Sequence, residues 1–188
     1  MQFPQINLAL PEWVELFVKN WNTTFETDEQ KMQFVIDMSK QNVVLGTGGP
    51  FAAAIFSNKS GTLIAPGVNV VVASSCSLAH AEIMAIGIAQ KKLNTFDLGT
   101  DCELFASTAP CAMCLGATPW SGVGRLVCAA RDEDARSIGF DEGAKIKDWV
   151  ESLTSRSIKV RTDLMRQEAI SVLNLYASQG GSIYNSRG

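Results

Sequence analysis

Two short segments carry the residue types that can do chemistry together: Leu78-Ala79-His80-Ala81-Glu82 and Ala109-Pro110-Cys111-Ala112-Met113-Cys114. Imidazole nitrogen and thiolate sulfur are zinc donors. Three protein donors leave a fourth position for water, which separates a catalytic zinc from a closed structural one. His80 is the chain's single histidine, so any chemistry that needs an imidazole must use it. Glu82, two residues from His80, is not required as a donor. It is placed to shuttle protons to and from a water whose pKa zinc lowers toward ~7.

Plainer readings of these residues lack a part. A C-x-x-C pair alone suits a structural zinc half-site or a redox couple equally well. A structural site needs a fourth donor, and the chain has no second histidine and no second C-x-x-C. A thioredoxin-like pair follows the first strand; here it follows the third. The five cysteines are an odd count in a chain that is not short, so a disulfide framework is not expected. Cys76, Cys102 and Cys128 read as buried structural thiols.

The elements that must position the two segments follow from periodicity and turn chemistry. Pro11 to Trp21 reads as a short helix, and the T-x-x-Q of Thr27 to Gln30 is a capping box opening a second helix to about Lys40. Residues 52–57 and 62–72 read as strands joined by the turn Asn58-Lys59-Ser60-Gly61. Residues 79–94 form an apolar helix beginning at the His80 segment. Residues 103–107 are a strand, Pro110 opens a helix, and residues 125–130 are a further strand. A short helix or turn over 132–138, a helical stretch near 144–153, a strand at 157–162 and a helix at 163–178 complete the order, before the tail QGGSIYNSRG. Cys111 and Cys114 then share one helix face. In a first turn, unpaired N–H groups and the positive dipole end favour thiolates. A hairpin followed by strand–helix alternation implies an α/β fold: a three-layer α-β-α sandwich around a mixed five-stranded sheet.

Composition bounds the function. The 188 residues are 46% hydrophobic and 19% charged, which fits one globular domain and excludes a disordered chain, a collagen-like fibre or a coiled coil. A net charge of −3 suits a small neutral substrate better than a polyanion. No apolar window reaches the ~18 residues of a membrane helix. The opening MQFPQINLALPEW lacks a basic region and is broken by Pro4 and Pro11, so it is not read as a secretory signal and a cytoplasmic location is expected.

H-x-E followed by P-C-x-x-C is the zinc deaminase signature. It stands here as His80-Ala81-Glu82 and Pro110-Cys111-Ala112-Met113-Cys114, and over about residues 30 to 145 the chain resembles the cytidine and deoxycytidylate deaminase superfamily. The resemblance implies one zinc per subunit on His80, Cys111 and Cys114, Glu82 as catalytic carboxylate, and backbone N–H groups near Cys111 polarising the attacked centre. It also implies a homodimer. Gly49-Pro50-Phe51, Asn69, Pro119-Trp120 and Gly139-Phe140-Asp141-Glu142 are similar to the guanine deaminase branch. That likeness assigns Glu142 as a second proton shuttle helping the 2-amino group to leave. It makes Asn69 a purine hydrogen-bonding partner and Phe51 a ring contact. Ala81, Trp120, Phe140 and Tyr184 complete the expected substrate contacts, the last from a tail that closes in the same chain or from a neighbouring subunit.

The chemistry of the base agrees with this. Guanine presents N1–H and its 2-amino group as donors, which a carboxylate at Glu142 matches, and Asn69 offers both a donor and an acceptor. Guanine and the triazine ammeline share that amine-bearing edge. Guanosine, an adenosine in tRNA, and cytosine or dCMP are the competing substrates, and a non-catalytic binding module is a competing class. Arg156, Lys159, Arg161 and Arg166 leave RNA open, while the net charge and the G-F-D-E loop argue against it. Retention of Glu82 and all three donors argues against a non-catalytic module. The chain departs from the pattern in Thr108-Ala109, where family members often carry Glu or Ser-type residues. It also has an added N-terminal segment of about residues 1–25, a longer stretch from Gly143 to Thr162, and a C-terminal helix and tail of about 163–188.

Overall fold

The computed structural model describes residues 3–21 and 23–185; the last three residues of the tail lie outside it. After α1 (Trp13–Lys19), the capping box forms as expected and starts α2 (Asp28–Val44). Thr27 Oγ1 accepts from the Gln30 N–H at 3.2 Å, and Gln30 Oε1 accepts from the Thr27 N–H at 3.3 Å. Then come β1 (Ala52–Ser57), β2 (Leu63–Val68), α3 (Val71–Ser74), α4 (Ala81–Leu93), β3 (Cys102–Thr108) and α5 (Ala112–Trp120). The chain continues through β4 (Arg125–Ala130), α6 (Asp132–Ser137), α7 (Trp149–Thr154), β5 (Lys159–Arg161) and α8 (Arg166–Ser178).

The five strands form one mixed sheet in the order β2-β1-β3-β4-β5. β1 pairs antiparallel with β2 and β3, while β3–β4 and β4–β5 are parallel. Side-chain alternation divides the core in two. Ala52, Ala54, Phe56, Phe105 and Val127 face α1, α2 and α8. Ala53, Ile55, Leu104, Ala106 and Leu126 face α4, α5 and α7. This is the expected three-layer sandwich. α1 seats on the first face through Phe17, whose ring centroid lies 5.5 Å from that of Phe34.

Several elements differ from their sequence reading. The strand expected over 62–72 ends at Val68, and the β-branched run Val70-Val71-Val72 turns instead into the short α3. Pro110 lies before the helix rather than in its first turn; Cys111 is the N-cap, with extended backbone (ψ 173°), and α5 begins at Ala112. The helix expected near 144–153 forms only from Trp149. Cys102 and Cys128 are buried as expected, but Cys76 is only half-buried.

One buried polar cluster ties α2 to the sheet. Glu103, on β3, is fully buried and bonds Lys31 Nζ and, at 3.0 Å, Arg125. Arg125 also donates to Asp28 at 2.8 Å. Glu103→Ala leaves the Lys31 ammonium buried without its partner and should destabilise the fold by about 3–5 kcal/mol in urea titrations. Asp28 supplies a pH dependence. Its carboxyl is held below the ordinary range chiefly by the Arg125 hydrogen bond, against its burial. A folded pKa below the unfolded value of about 3.9 stabilises fully above that pH and is lost as pH falls through the folded value. Unfolding free energy should therefore drop below about pH 4, and that drop should be smaller in Asp28→Asn.

Candidate active site

Two helix starts are brought together at the C-terminal end of β3. His80 is the N-cap of α4 and Cys111 the N-cap of α5, with Cys114 in the first turn. α4 can lie close on β2 because Gly67 faces it: a Cβ there would sit 2.2 Å from the Ala81 carbonyl oxygen and 2.6 Å from the Ala85 nitrogen. The donor atoms of His80, Cys111 and Cys114 all lie within 4.8 Å of one another. His80 presents Nδ1, 3.5 Å from Cys111 Sγ. Zinc bonds of ~2.3 Å to sulfur and ~2.0 Å to nitrogen at a tetrahedral angle set those atoms about 3.5 Å apart. The donor set therefore fits a zinc ion as it stands.

The electrostatics ask for a cation. Cys114, as hydrogen-bond donor, pulls the Cys111 thiol down to about 4 despite burial, with His80 helping. Cys114 is pushed up by that same contact and by burial. Burial and the Cys111 charge raise Glu82. Burial, then the charges of Cys111 and Glu82, push Glu142 up to about 8. For His80, burial works downward but is outweighed by Cys111 and Glu82, so its pKa rises. Four acids thus crowd one imidazole, and the ionised Cys111, with burial, holds Cys114, Glu82 and Glu142 back from ionising. A divalent ion among them would relieve that repulsion.

These groups open into a cavity of about 330 Å³, the scale of a small-molecule site. Its lining includes Phe51, His80, Glu82, Thr108, Cys111, Phe140, Glu142 and Tyr184. The rings pack on each other: Phe51 lies edge-on to Phe140 with centroids 4.9 Å apart, and Tyr184 lies 5.0 Å from Phe140. Glu142 is 6% exposed and lines this cavity; neighbouring Asp141 also lines it but is exposed. The Ala112 N–H donates to the Glu142 carbonyl at 2.9 Å, fixing the loop against the start of α5. The tail reaches the site within one chain. Asn185 accepts from the Asp141 N–H at 3.0 Å and donates to the Gly139 carbonyl at 2.9 Å, and this seats Tyr184.

Three expected contacts stand differently. Asn69 is buried beside the cavity, tied to two lining residues: its N–H donates to the Phe51 carbonyl and its Oδ1 accepts from the Val71 N–H. Ala81 is buried against Gly67 and is not among the lining residues. Trp120 does not line this cavity. It is the last residue of α5, 87% exposed, and lines a separate surface groove, because α5 runs away from the cavity after Cys114. Thr108 was noted in the sequence only as a departure, yet its hydroxyl is buried, unpartnered and in the cavity wall. Its place at the end of a strand leading into the P-C-x-x-C segment was the available signal.

Residues 25–130 match the family described as the cytidine and deoxycytidylate deaminase zinc-binding region. The chain belongs to this deaminase family. Among curated relatives, the guanine deaminase of Bacillus subtilis (strain 168) is 38% identical over 130 residues, 69% of this chain and 81% of that protein. Among solved structures, NE0047 in complex with 2,6-diaminopurine is 44% identical, with a TM-score of 0.89 and 98% of each chain covered. A guanine deaminase from Nitrosomonas europaea is 42% identical, with a TM-score of 0.88 over 95% of this chain and 99% of its own. The deaminase likeness thus extends through the N-terminal segment and the C-terminal helix, well beyond the zinc-binding region.

Proposed function

We propose that this chain is a zinc-dependent aminohydrolase that converts guanine and water to xanthine and ammonia, with ammeline as a further substrate. The observation that carries the reading is the pairing of the His80–Cys111–Cys114 cluster with two buried carboxyls, Glu82 and Glu142, in one aromatic-walled cavity. The polar atoms left over support a hydrogen-bonding heterocycle as ligand. Asn69 Nδ2, Thr108 Oγ1 and the Tyr184 hydroxyl are buried without partners, each a loss of about 1–3 kcal/mol until a ligand pairs it.

His80, Cys111 and Cys114 would hold a zinc ion, which would supply a water of lowered pKa. Glu82 takes the water's proton and carries it to a ring nitrogen of the base. The water oxygen bonds to the ring carbon that bears the 2-amino group. Glu142, protonated beforehand, delivers the proton with which the C–N bond breaks and the amine leaves as ammonia, and it is reprotonated from the new hydroxyl as that carbon becomes a carbonyl. Phe51 and Phe140 hold the ring, and base–aromatic contact of this kind contributes about 1–3 kcal/mol. Asn69, which keeps one amide N–H pair free, addresses an acceptor on the base. Glu142→Gln should lower kcat on guanine by about 10²-fold with zinc retained, since it removes one of two proton carriers; steady-state kinetics with metal analysis checks this.

The deciding test is ammonia release by zinc-loaded protein on guanine, guanosine, ammeline, adenine, cytosine, dCMP and a tRNA anticodon stem-loop. Turnover on guanine is expected. Turnover only on cytosine, dCMP or RNA overturns the substrate and the roles given to Glu142, Asn69 and Phe51. The proposal includes a cytoplasmic location and a homodimer. Light scattering should return about twice the 20.3 kDa of one chain. No helix among the described residues is long and apolar enough to cross a membrane.

A further inference from the structure

Asn42 lies on α2, nine residues before Phe51, and is fully buried. Its Nδ2 donates to two backbone carbonyls, Gly49 at 2.9 Å and Asn69 at 3.0 Å. Each belongs to a segment that serves the cavity. The Phe51 N–H donates to the Gly49 carbonyl at 2.8 Å, and the Asn69 N–H donates to the Phe51 carbonyl at 3.0 Å. Both donors of one amide therefore clamp the two chain segments that carry Phe51 and Asn69. The clamp is tight: a Cβ on Gly48 would sit 1.9 Å from the Asn69 carbonyl oxygen and 2.8 Å from Asn42 Nδ2.

The other end of the amide is held as well. Thr47 Oγ1 donates to Asn42 Oδ1 at 2.7 Å and accepts from Trp13 Nε1 at 2.9 Å. Trp13 sits on α1, in the added N-terminal segment, where its ring also meets Phe17 edge-on at 5.8 Å. A single proton direction runs through the relay. The indole can only donate, so the threonine hydroxyl turns its one hydrogen toward Asn42, where Oδ1 at 2.7 Å is closer than the backbone carbonyl at 3.4 Å, and the amide keeps both N–H groups aimed at Gly49 and Asn69.

We infer that Asn42 is a positioning residue for the substrate cavity, and that Thr47 and Trp13 make the N-terminal helix part of the device that fixes Phe51 and Asn69. This rests on the guanine-deaminase reading only in taking those two residues as substrate contacts. The relay does not touch the zinc donors or the two carboxylates. It should therefore govern how well substrate is held, not how fast the bound base reacts. An interaction equal in ground and transition states shows in KM alone.

The test uses Thr47→Val, which removes the hydroxyl at near-constant volume, and Trp13→Phe, which keeps a ring against Phe17. Thr47→Ser serves as the conservative rescue. Each is measured for KM and kcat on guanine, zinc content and thermal midpoint, and by hydrogen–deuterium exchange of residues 46–52 and 69–71 without substrate. Thr47→Val and Trp13→Phe should raise KM about 5–10-fold with kcat within about twofold and zinc unchanged. Exchange in both segments should speed up, and Thr47→Ser should match wild type in both readouts. A fall in thermal midpoint with KM and exchange unmoved would make the relay merely structural and overturn the proposal, as would a fall in kcat with KM unchanged. If wild-type protein does not act on guanine, the substrate reading falls by itself, and the exchange measurement still decides whether the relay orders the two segments.

Discussion

Glu82→Gln should lower kcat on guanine by about 10³-fold while the protein keeps one zinc per chain, because general acid–base groups contribute about 10²–10⁴-fold. The substitution keeps the shape of the side chain and removes only its capacity to carry a proton. Glu82 is 8% exposed and lines the cavity beside the donor cluster, so bulk water is poorly placed to substitute for it. It is used twice, first to take a proton from water and then to pass it to the ring, so both transfers fail together. The larger loss than in Glu142→Gln follows from that double use. Single-turnover and steady-state ammonia release, with metal content measured on the same sample, check the result. Turnover within tenfold of wild type would sink the role given to Glu82.

Removing the metal should abolish turnover and lower the thermal midpoint by about 10 °C. An ion present at about a thousand times its dissociation constant stabilises the folded chain by ~4 kcal/mol. For a chain of this size each kcal/mol moves the midpoint by about 2–4 °C. The direction follows from the site. Without a cation, the ionised Cys111 stays beside the buried Cys114, Glu82 and Glu142 around one imidazole, and its charge opposes their ionisation. Chelation followed by zinc should restore both activity and midpoint. Cys114→Ser should show the chelated behaviour permanently, since Cys114 is fully buried and its hydroxyl replacement is a poor zinc donor. Retained turnover after chelation, with the midpoint unchanged, would rule the donor cluster out as the reacting centre.

The contrast between what was readable and what was not lies in particular residues. Thr27 and Gln30 formed their cap because both partners lie within one turn. β1 and β4 kept the bounds 52–57 and 125–130 because short apolar runs between turn signals have few other ways to be buried. The run Val70-Val71-Val72 misled because β-branched residues favour strands only where a sheet neighbour is offered. β2 is the edge of the sheet, and beyond Val68 the chain must turn back so that His80 can meet Cys111. Trp120 stands outside the cavity for a similar reason. A tryptophan on the helix that carries the cysteines reads as a pocket wall, but which face it occupies depends on where α5 leaves the cavity.

By itself the sequence determined the donor types, their order and the helix starts that carry them, because a capped helix and a two-residue spacing are local matters. It therefore determined the class of chemistry. Only the tertiary structure decided that His80 offers Nδ1 at 3.5 Å from Cys111, that Glu142 is buried in the cavity while Asp141 is exposed, and that Asn42 holds Gly49 and Asn69. Those facts join residues 7 to 31 positions apart, and they depend on the packing of helices against a shared sheet, which no local pattern encodes.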